Sequence, residues 1–210
     1  MLASSYNVLA VRKGEAGNVT PVGVEGLIKT SDQKFIYGLR GGNVKAGNVN
    51  IAPAGHCDSK HHGQEAIFAA FYEELREELG MLPEDVSTPL VLGCLTDPDF
   101  SRAMSFVFYV KTDLSFEEID RKHQLAWRVY TVAKEKGADE KTARRAIAEA
   151  GYSNIDAWEH SQLIDIVQDA EIIDHITKTR TVEKAGNSYP LLDVGRMPLV
   201  IYRESEGLLR

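Results

Sequence analysis

The stretch of sequence that decides the fold is EAIFAAFYEELREELGM, residues 65–81. Its apolar side chains recur every third or fourth position and so share one face of a helix: Phe68, Tyr72, Leu75 and Leu79. Gly80 follows the last of them and Pro83 lies just beyond, which is the usual end of a helix. The pattern predicts an amphipathic helix over residues 65–79.

Three carboxylates share another face of this predicted helix. Glu74, Glu77 and Glu78 stand at positions i, i+3 and i+4. Like charges at these spacings destabilise a helix by roughly 0.2–0.5 kcal/mol per pair, and anions are unfavourable near its C-terminal end. Local helix stability does not account for this placement, whereas a bound divalent cation does, because Mg²⁺ takes oxygen ligands. The competing interpretation is a solvated acidic surface.

The segment from Glu65 to Met81 resembles the Nudix box, G-x5-E-x7-R-E-U-x-E-E-x-G-U, in which U is an apolar residue. The matching positions are Glu65, Glu74, Leu75, Glu77, Glu78, Gly80 and Met81. The upstream stretch IAPAGHCD, residues 51–58, is similar to the strand and loop that lead into the box, with Gly55 as its glycine. By this resemblance the chain is identified as a Nudix superfamily protein with a degenerate box.

Two positions depart from the family pattern. Gly55 lies ten residues before Glu65, where the pattern has six, so the intervening loop carries an insertion of four residues. Glu73 stands where the family has an arginine that pairs with the first glutamate. An acid there would repel Glu65 unless another cation or a proton intervenes, and Arg76 lies about 16 Å from Glu65 along an ideal helix. We therefore expect Glu73→Arg to raise stability.

The resemblance implies an α/β (α+β) fold, the Nudix α/β/α sandwich with a mixed sheet, here with a helical insertion. We expect the Nudix core over residues 1–112, the insertion over 113–155, and helices and a strand that complete the fold over 156–210. Strands are predicted from apolar runs bounded by turns, over residues 5–12, 22–29, 34–40, 89–95 and 103–111.

The second half of the chain is predicted to be mainly helical. Ser115 and Glu118 form a capping-box pattern at the start of the first helix. The closing stretch MPLVIYRES, residues 197–205, is expected to be an edge strand. Helices are predicted over residues 115–136, over 139–150 and over most of 157–178.

Resemblance to Nudix hydrolases implies metal-dependent hydrolysis of a nucleoside diphosphate linked to another moiety. Mg²⁺ or Mn²⁺ would neutralise phosphate charge and activate water. The residues implied as metal ligands and catalytic groups are Glu74, Glu77 and Glu78. Those expected at the substrate are Gly55, His61 and His62, and those expected in support are Glu65 and Glu73.

The group that accepts the proton of the attacking water is left open. It is one of the helix glutamates or an acid from a later loop: Asp97, Asp99, Asp156 or Glu159. The alternative function is a catalytically inactive Nudix-fold module for binding or regulation, which Glu73 favours. A third alternative, a helical protein-interaction module with an accidental acidic helix, predicts no binding of divalent cations.

The composition limits the partners of the chain. Its 210 residues include 24 basic and 31 acidic side chains, a net charge of −7. This balance argues against a nucleic-acid partner and is compatible with a small anionic, nucleotide-like substrate, because a divalent cation reverses the local charge. No apolar run approaches the roughly 18–20 residues of a membrane span. Two cysteines and a start without a secretory pattern favour a cytoplasmic setting, and a homodimer is left open.

Three further patterns each have two interpretations. A cluster in one loop either binds Zn²⁺ or forms a polar loop over the substrate: His56, Cys57, Asp58, His61 and His62. Residues 138–158 resemble a helix-turn-helix with Arg144 and Arg145, although an amphipathic helical hairpin is the favoured interpretation. Some aromatic residues either stack on a base or fill the core: Phe100, Phe106, Trp127 and Trp158.

Overall fold

The computed structural model describes residues 22–41, 45–58, 60–61, 65–97 and 103–206, so the strand predicted over residues 5–12 lies outside the described residues. The strands are β1 (Val22–Lys29), β2 (Lys34–Arg40), β3 (Val49–Ile51), β4 (Ala54–His56), β5 (Leu90–Asp97), β6 (Ala103–Lys111), β7 (His160–Val167), β8 (Thr181–Lys184) and β9 (Asn187–Pro190). The α-helices are α1 (Ala66–Leu79), α2 (Phe116–Glu135), α3 (Glu140–Glu149), α4 (Ala170–Thr179) and α5 (Asp193–Ser205). Short 3-10 helices cover Pro83–Asp85 and Ala157–Glu159.

Seven strands form one mixed sheet. Their order is β3-β2-β1-β6-β5, with β4 paired to β1 and β7 paired to β2. β1 and β6 run parallel, and the other pairs are antiparallel. β8 and β9 form a separate hairpin. The hairpin predicted over residues 22–29 and 34–40 and the strand predicted over 103–111 are confirmed, and the strand predicted over 89–95 is β5 with slightly later bounds.

Helices cover both faces of the sheet. Along β6, Phe108 and Val110 point into a core beneath α1 and the first turns of α2. Tyr109 points to the other face, into a core closed by α4 and α5. This alternation is the period of two expected of a strand that is buried on both faces. The arrangement is an α/β/α sandwich, as predicted.

Helix α1 packs its apolar face against the sheet. The predicted stripe is buried or partly buried there: Phe68, Tyr72, Leu75 and Leu79. Phe71 joins these residues and stacks on Phe108, with 4.8 Å between ring centroids. Gly80 ends the helix in the left-handed conformation at φ 68°, and its N–H donates to the carbonyl of Arg76 at 2.9 Å. The predicted helix and its end are confirmed.

The helical hairpin of α2 and α3 has a small core of its own. The predicted capping box is present, since the Glu118 N–H donates to Ser115 Oγ and the Ser115 N–H donates to the Glu118 carboxylate. The residues of this small core are Ala126, Val129, Tyr130, Ile147, Tyr152, Ile155 and Ala157. Tyr130 stacks between Trp127 and Trp158, with centroids 5.6 and 6.2 Å away. The first turns of α2 contribute Phe116 to the larger core beneath α1.

Two predictions for the C-terminal part are wrong. Residues 160–167 form β7 rather than a helical segment. Leu163 packs into the core beneath α1, and the next residue, Ile164, packs into the core on the opposite face of the sheet, which is the alternation of a strand. Residues 197–205 belong to α5 rather than to an edge strand. Leu199 and Tyr202 of α5 are buried three positions apart, which places them on one side of a helix against the sheet. None of the helices in the described ranges has the length and apolarity needed to cross a membrane.

Candidate active site

The acidic face of α1 meets two other parts of the chain. At one side lies β4, where Ala54 and Gly55 contact carboxylates of the helix. At the other side lies the turn over Ala157–Glu159, which leads from α3 into β7. Asp156 and Glu159 bring two further acids from this turn. The carboxylates gathered in this region are Glu74, Glu77, Glu78, Asp156 and Glu159.

Glu78 is fully buried and held through both carboxylate oxygens. The Ala54 N–H donates to Oε1 at 3.2 Å, and His160 Nε2 lies 3.0 Å from Oε2. Burial raises the pKa of Glu78 to about 8. The hydrogen bond from Ala54 and the charge of Arg40 lower this pKa, and the charge of Asp156 raises it. The carboxylate is therefore fixed in direction within a site that disfavours its negative charge.

Glu74 lies directly against the backbone of β4. A Cβ placed on Gly55 would come within 1.9 Å of Glu74 Oε1, so only glycine leaves room for this carboxylate. Burial is the main cause that raises the pKa of Glu74 to about 9, and the charges of Glu78 and Glu159 add to it. Glu74 and Gly55 thus form one close contact between the helix and the preceding strand.

Glu77 is the most accessible of the three helix glutamates in this region. Its carboxylate accepts a hydrogen bond from Arg76 Nη2 at 3.1 Å. Burial raises its pKa, and the charges of Asp156 and Glu73 act in the same direction. The Asp156 N–H donates to the backbone carbonyl of Glu77 at 2.7 Å, so the turn before β7 is attached to this end of the helix.

Asp156 and Glu159 each face an arginine. Arg144 of α3 contacts both oxygens of Asp156 at 2.6 and 2.8 Å, and the Trp158 indole N–H donates to the same carboxylate at 3.0 Å. Arg40 lies 3.5 Å from Glu159. Burial raises the pKa of Glu159 to about 7, with the charge of Glu78 adding to it. Arg144, considered for nucleic-acid contact from the sequence, instead connects the helical hairpin to the acidic region.

Glu73, which stands at the arginine position of the Nudix pattern, is held by a lysine and a histidine of the inserted loop and lies near Arg76. Lys60 Nζ lies 2.5 Å from one oxygen and His61 Nε2 lies 2.8 Å from the other. Arg76 is 3.8 Å away, whereas Glu65 is exposed just before the helix. Lys60 of the inserted loop therefore supplies a positive charge that offsets the acid at this position. The repulsion with Glu65 on which the expected gain in stability rested is therefore offset, and Glu73→Arg would bring a positive charge next to Lys60 and Arg76, so we now expect it to lower stability.

The remaining residues named from the sequence do not join the five carboxylates or lie outside the described residues. His61 is buried, and its Nδ1 accepts a hydrogen bond from the Asp58 N–H at 3.2 Å. Cys57 is buried, and burial raises its pKa to about 11, which keeps the sulfur a thiol. Phe106 packs against the core beneath α1. The side chain of Asp97 and the residues His62, Asp99 and Phe100 are outside the described part of the chain.

Three residues of this region were not predicted from the sequence. His160 bonds Glu78, Arg40 faces Glu159, and Gly38 lies under the His160 ring, where a Cβ would come within 2.1 Å of Nδ1. The only sequence signal is that His160 directly follows Glu159. That signal was hidden because the segment was interpreted as helical, whereas the contacts depend on the pairing of β7 with β2.

The acidic region fits a divalent cation by its chemistry. Within the described residues, no three histidine, cysteine, aspartate or glutamate side chains converge as a ready-made metal site. The donors are nevertheless all carboxylates, the ligand type of Mg²⁺ and Mn²⁺. Burial and mutual repulsion raise the pKa values of Glu74 and Glu78, and a cation among them would relieve both effects.

Comparison with solved structures identifies proteins of the same fold. The chain is similar to the DR0079 protein of Deinococcus radiodurans, with 12% identity over 90% of both chains and a TM-score of 0.51. It is also similar to a MutT protein of Methanosarcina mazei, with 14% identity over 91% of this chain and 99% of the other, and a TM-score of 0.50. A Nudix-family hydrolase of Clostridium perfringens shares 14% identity over 90% of this chain and 97% of its own, with a TM-score of 0.47. No family model and no curated protein matches the sequence. At 12–14% identity, the structural likeness to the first two proteins shows that the chain shares their fold.

Proposed function

We propose that this chain, which has the Nudix fold, is a metal-dependent hydrolase that cleaves the phosphoanhydride bond of a nucleoside diphosphate linked to another moiety. The observation that carries the proposal is the group of five carboxylates beside β4, on the helix whose sequence resembles the Nudix box. Carboxylates that repel one another at a buried site are stabilised by a cation, which supports a metal site at this position.

Glu74, Glu77 and Glu78 are the residues that would hold Mg²⁺ or Mn²⁺. A bound ion supplies positive charge for the diphosphate and lowers the pKa of the attacking water. Glu74 approaches the site through the space that Gly55 leaves open, and Glu78 is held by backbone and side-chain donors. Glu77 is the most exposed of the three and faces the turn that carries Asp156.

Glu159 is the residue we assign as the proton acceptor. It lies outside α1 and is therefore separate from the three helix ligands. Burial raises its pKa to about 7, and a general base acts best when its pKa lies near the working pH. Arg40 lies 3.5 Å from the carboxylate and limits its movement. Asp156 is less suited to this role, because Arg144 contacts both of its oxygens.

A catalytically inactive module of the same fold is the second candidate. Glu73 in place of the family arginine favours it, as does the engagement of both Glu78 oxygens by protein donors. Against it stand the contacts of Glu73, since Lys60 pairs with this carboxylate and His61 donates to it, which offsets the repulsion that would have disturbed the helix. Such a module would bind the cation or the nucleotide without turnover.

The test is a phosphate-release screen over nucleoside diphosphate derivatives with Mg²⁺, with Mn²⁺ and with a chelator. Glu77→Gln removes one ligand charge, and Glu149→Gln on the exposed side of α3 is the matched control. Metal-dependent release that is lost in Glu77→Gln and retained in Glu149→Gln supports the hydrolase. Metal binding without release from any substrate favours the inactive module. Release that Glu77→Gln leaves unchanged contradicts the assigned site.

A further inference from the structure

We propose that His160 is a positioning residue that holds the Glu78 carboxylate in the direction needed to bind the divalent cation, and that Gly38 is the residue that makes room for it. The inference rests on the proposed function, since it assigns a role toward the cation of that site. It concerns two residues that lie outside the Nudix-like segment of the sequence.

The contact between His160 and Glu78 is short and fully enclosed. Both residues are 1% exposed, and Nε2 lies 3.0 Å from Oε2. The other oxygen, Oε1, accepts from the Ala54 N–H. One donor on each oxygen prevents the carboxylate from rotating, while a carboxylate oxygen retains a further lone pair for a metal ion. Without the ring, Glu78 would be held at one oxygen only.

The surroundings of the ring decide which nitrogen carries its proton. His160 Nδ1 is buried and has no hydrogen-bond partner among the described residues. It lies against the Cα of Gly38, where a Cβ would come within 2.1 Å. A proton on Nδ1 would be a buried donor without an acceptor, which is unfavourable. The proton of the neutral ring is therefore on Nε2 when Glu78 is ionised, which is the form of the carboxylate that binds a cation.

The strand pairing brings these residues together. β7 pairs with β2 antiparallel, and the register shifts between Leu39 and Arg40, with Arg40 opposite His160. This irregularity lets the ring lie over Gly38, one residue before the shift. β2 thus contributes the space for His160 and, two residues later, the guanidinium that faces Glu159.

Fold stability alone does not favour this pair. Glycine inside a strand weakens the strand, and a histidine with an unpartnered nitrogen in the core is unfavourable. The neighbouring core positions of β7, such as Leu163 and Ile164, are fully apolar. Gly38 and His160 are each locally unfavourable, and together they orient one carboxylate, which is typical of a functional arrangement.

The test measures Mg²⁺ affinity by calorimetry in the wild type and in variants of His160. His160→Leu removes the donor, and we expect it to weaken binding by about tenfold or more, the usual effect of losing a group that orients a metal ligand. His160→Gln restores an N–H donor and should recover most of the affinity. Thr112→Val is the matched control, because it removes a buried hydrogen bond, to the Asp85 carbonyl, beyond the end of β6 and at the opposite end of β1 from β4. It should lower stability and leave the affinity unchanged.

Nitrogen-15 NMR of the Mg²⁺-bound protein, in which Glu78 is ionised, gives an independent result, with the His160 proton expected on Nε2. A folded His160→Leu protein that binds Mg²⁺ as the wild type does would overturn the inference, as would a proton on Nδ1. Equal losses in His160→Gln and His160→Leu would also overturn it. If the wild type bound neither Mg²⁺ nor Mn²⁺, the proposed function would fail with it, whereas wild-type binding with unaffected variants removes this inference alone.

Discussion

Replacing Gly55 with alanine tests whether the Glu74 carboxylate has to remain against β4. The new Cβ would lie 1.9 Å from Glu74 Oε1, whereas a Cβ essentially never comes closer than 3.0 Å to another heavy atom. The carboxylate must therefore move by about 1.1 Å, the difference between these two distances. A displacement of about 1 Å in an active site lowers the rate by roughly 100-fold. We expect kcat to fall by about that factor.

The folded structure should tolerate the same substitution. Gly55 does not have a positive φ, and β4 remains paired with β1, so the side chain of Glu74 is the part that moves. The free energy of unfolding should change by less than about 1 kcal/mol. Gly93→Ala is the matched control, because its Cβ would meet Ile201 at an ordinary 3.4 Å. Steady-state phosphate release and urea denaturation measure both effects. A folded Gly55→Ala enzyme with wild-type kcat would refute the assigned role of Glu74.

Four further predictions concern helix α1 and its surroundings. Glu73→Arg should lower the free energy of unfolding by about 1–3 kcal/mol in urea denaturation, because buried His61 loses its acceptor; an increase would contradict the ion pairs described. Glu74 and Glu78 have pKa values raised to about 9 and about 8, so protons compete with Mg²⁺ and calorimetry should show affinity that increases from about pH 6 to about pH 8. Because these folded-state values lie above the ordinary 4.5, urea denaturation of the metal-free protein should show a free energy of unfolding that falls as the pH rises through them. A Mg²⁺ affinity or a free energy of unfolding that does not change with pH would contradict the raised pKa values. Gly80→Ala should cost about 1–2 kcal/mol by thermal or urea unfolding, since its φ is 68°, and an unchanged midpoint would argue against that conformation.

Local patterns in the sequence were sufficient for the parts of the fold that depend on neighbouring residues. The apolar spacing of α1, its end at Gly80 and the capping box at Ser115 all act within a few residues. β7 was missed because its pairing with β2 joins segments more than 100 residues apart, which leaves no local signal. The last helix was missed because Pro198 and the apolar residues beside it are also typical of an edge strand, and only packing against the sheet distinguishes the two.

In the candidate site, too, local sequence patterns predicted some residues and could not predict others. The spacing of the helix glutamates depends on one helix and was predicted, and Glu159 was one of four later acids considered. The partners of Glu73 come from the inserted loop, where no sequence pattern linked Lys60 or His61 to this carboxylate. His160 and Gly38 meet only because the register between two distant strands shifts next to them. Contacts of this kind require the tertiary structure.

The measurement that tests the central claim most directly is a calorimetric titration of the wild type and Glu77→Gln with Mg²⁺, with circular dichroism to confirm that both are folded. We predict saturable binding by the wild type that Glu77→Gln weakens by about tenfold or more, since a charged ligand is lost. Equal binding by both proteins would contradict the assignment of the acidic face of α1. No binding by the wild type would contradict the metal-dependent function itself.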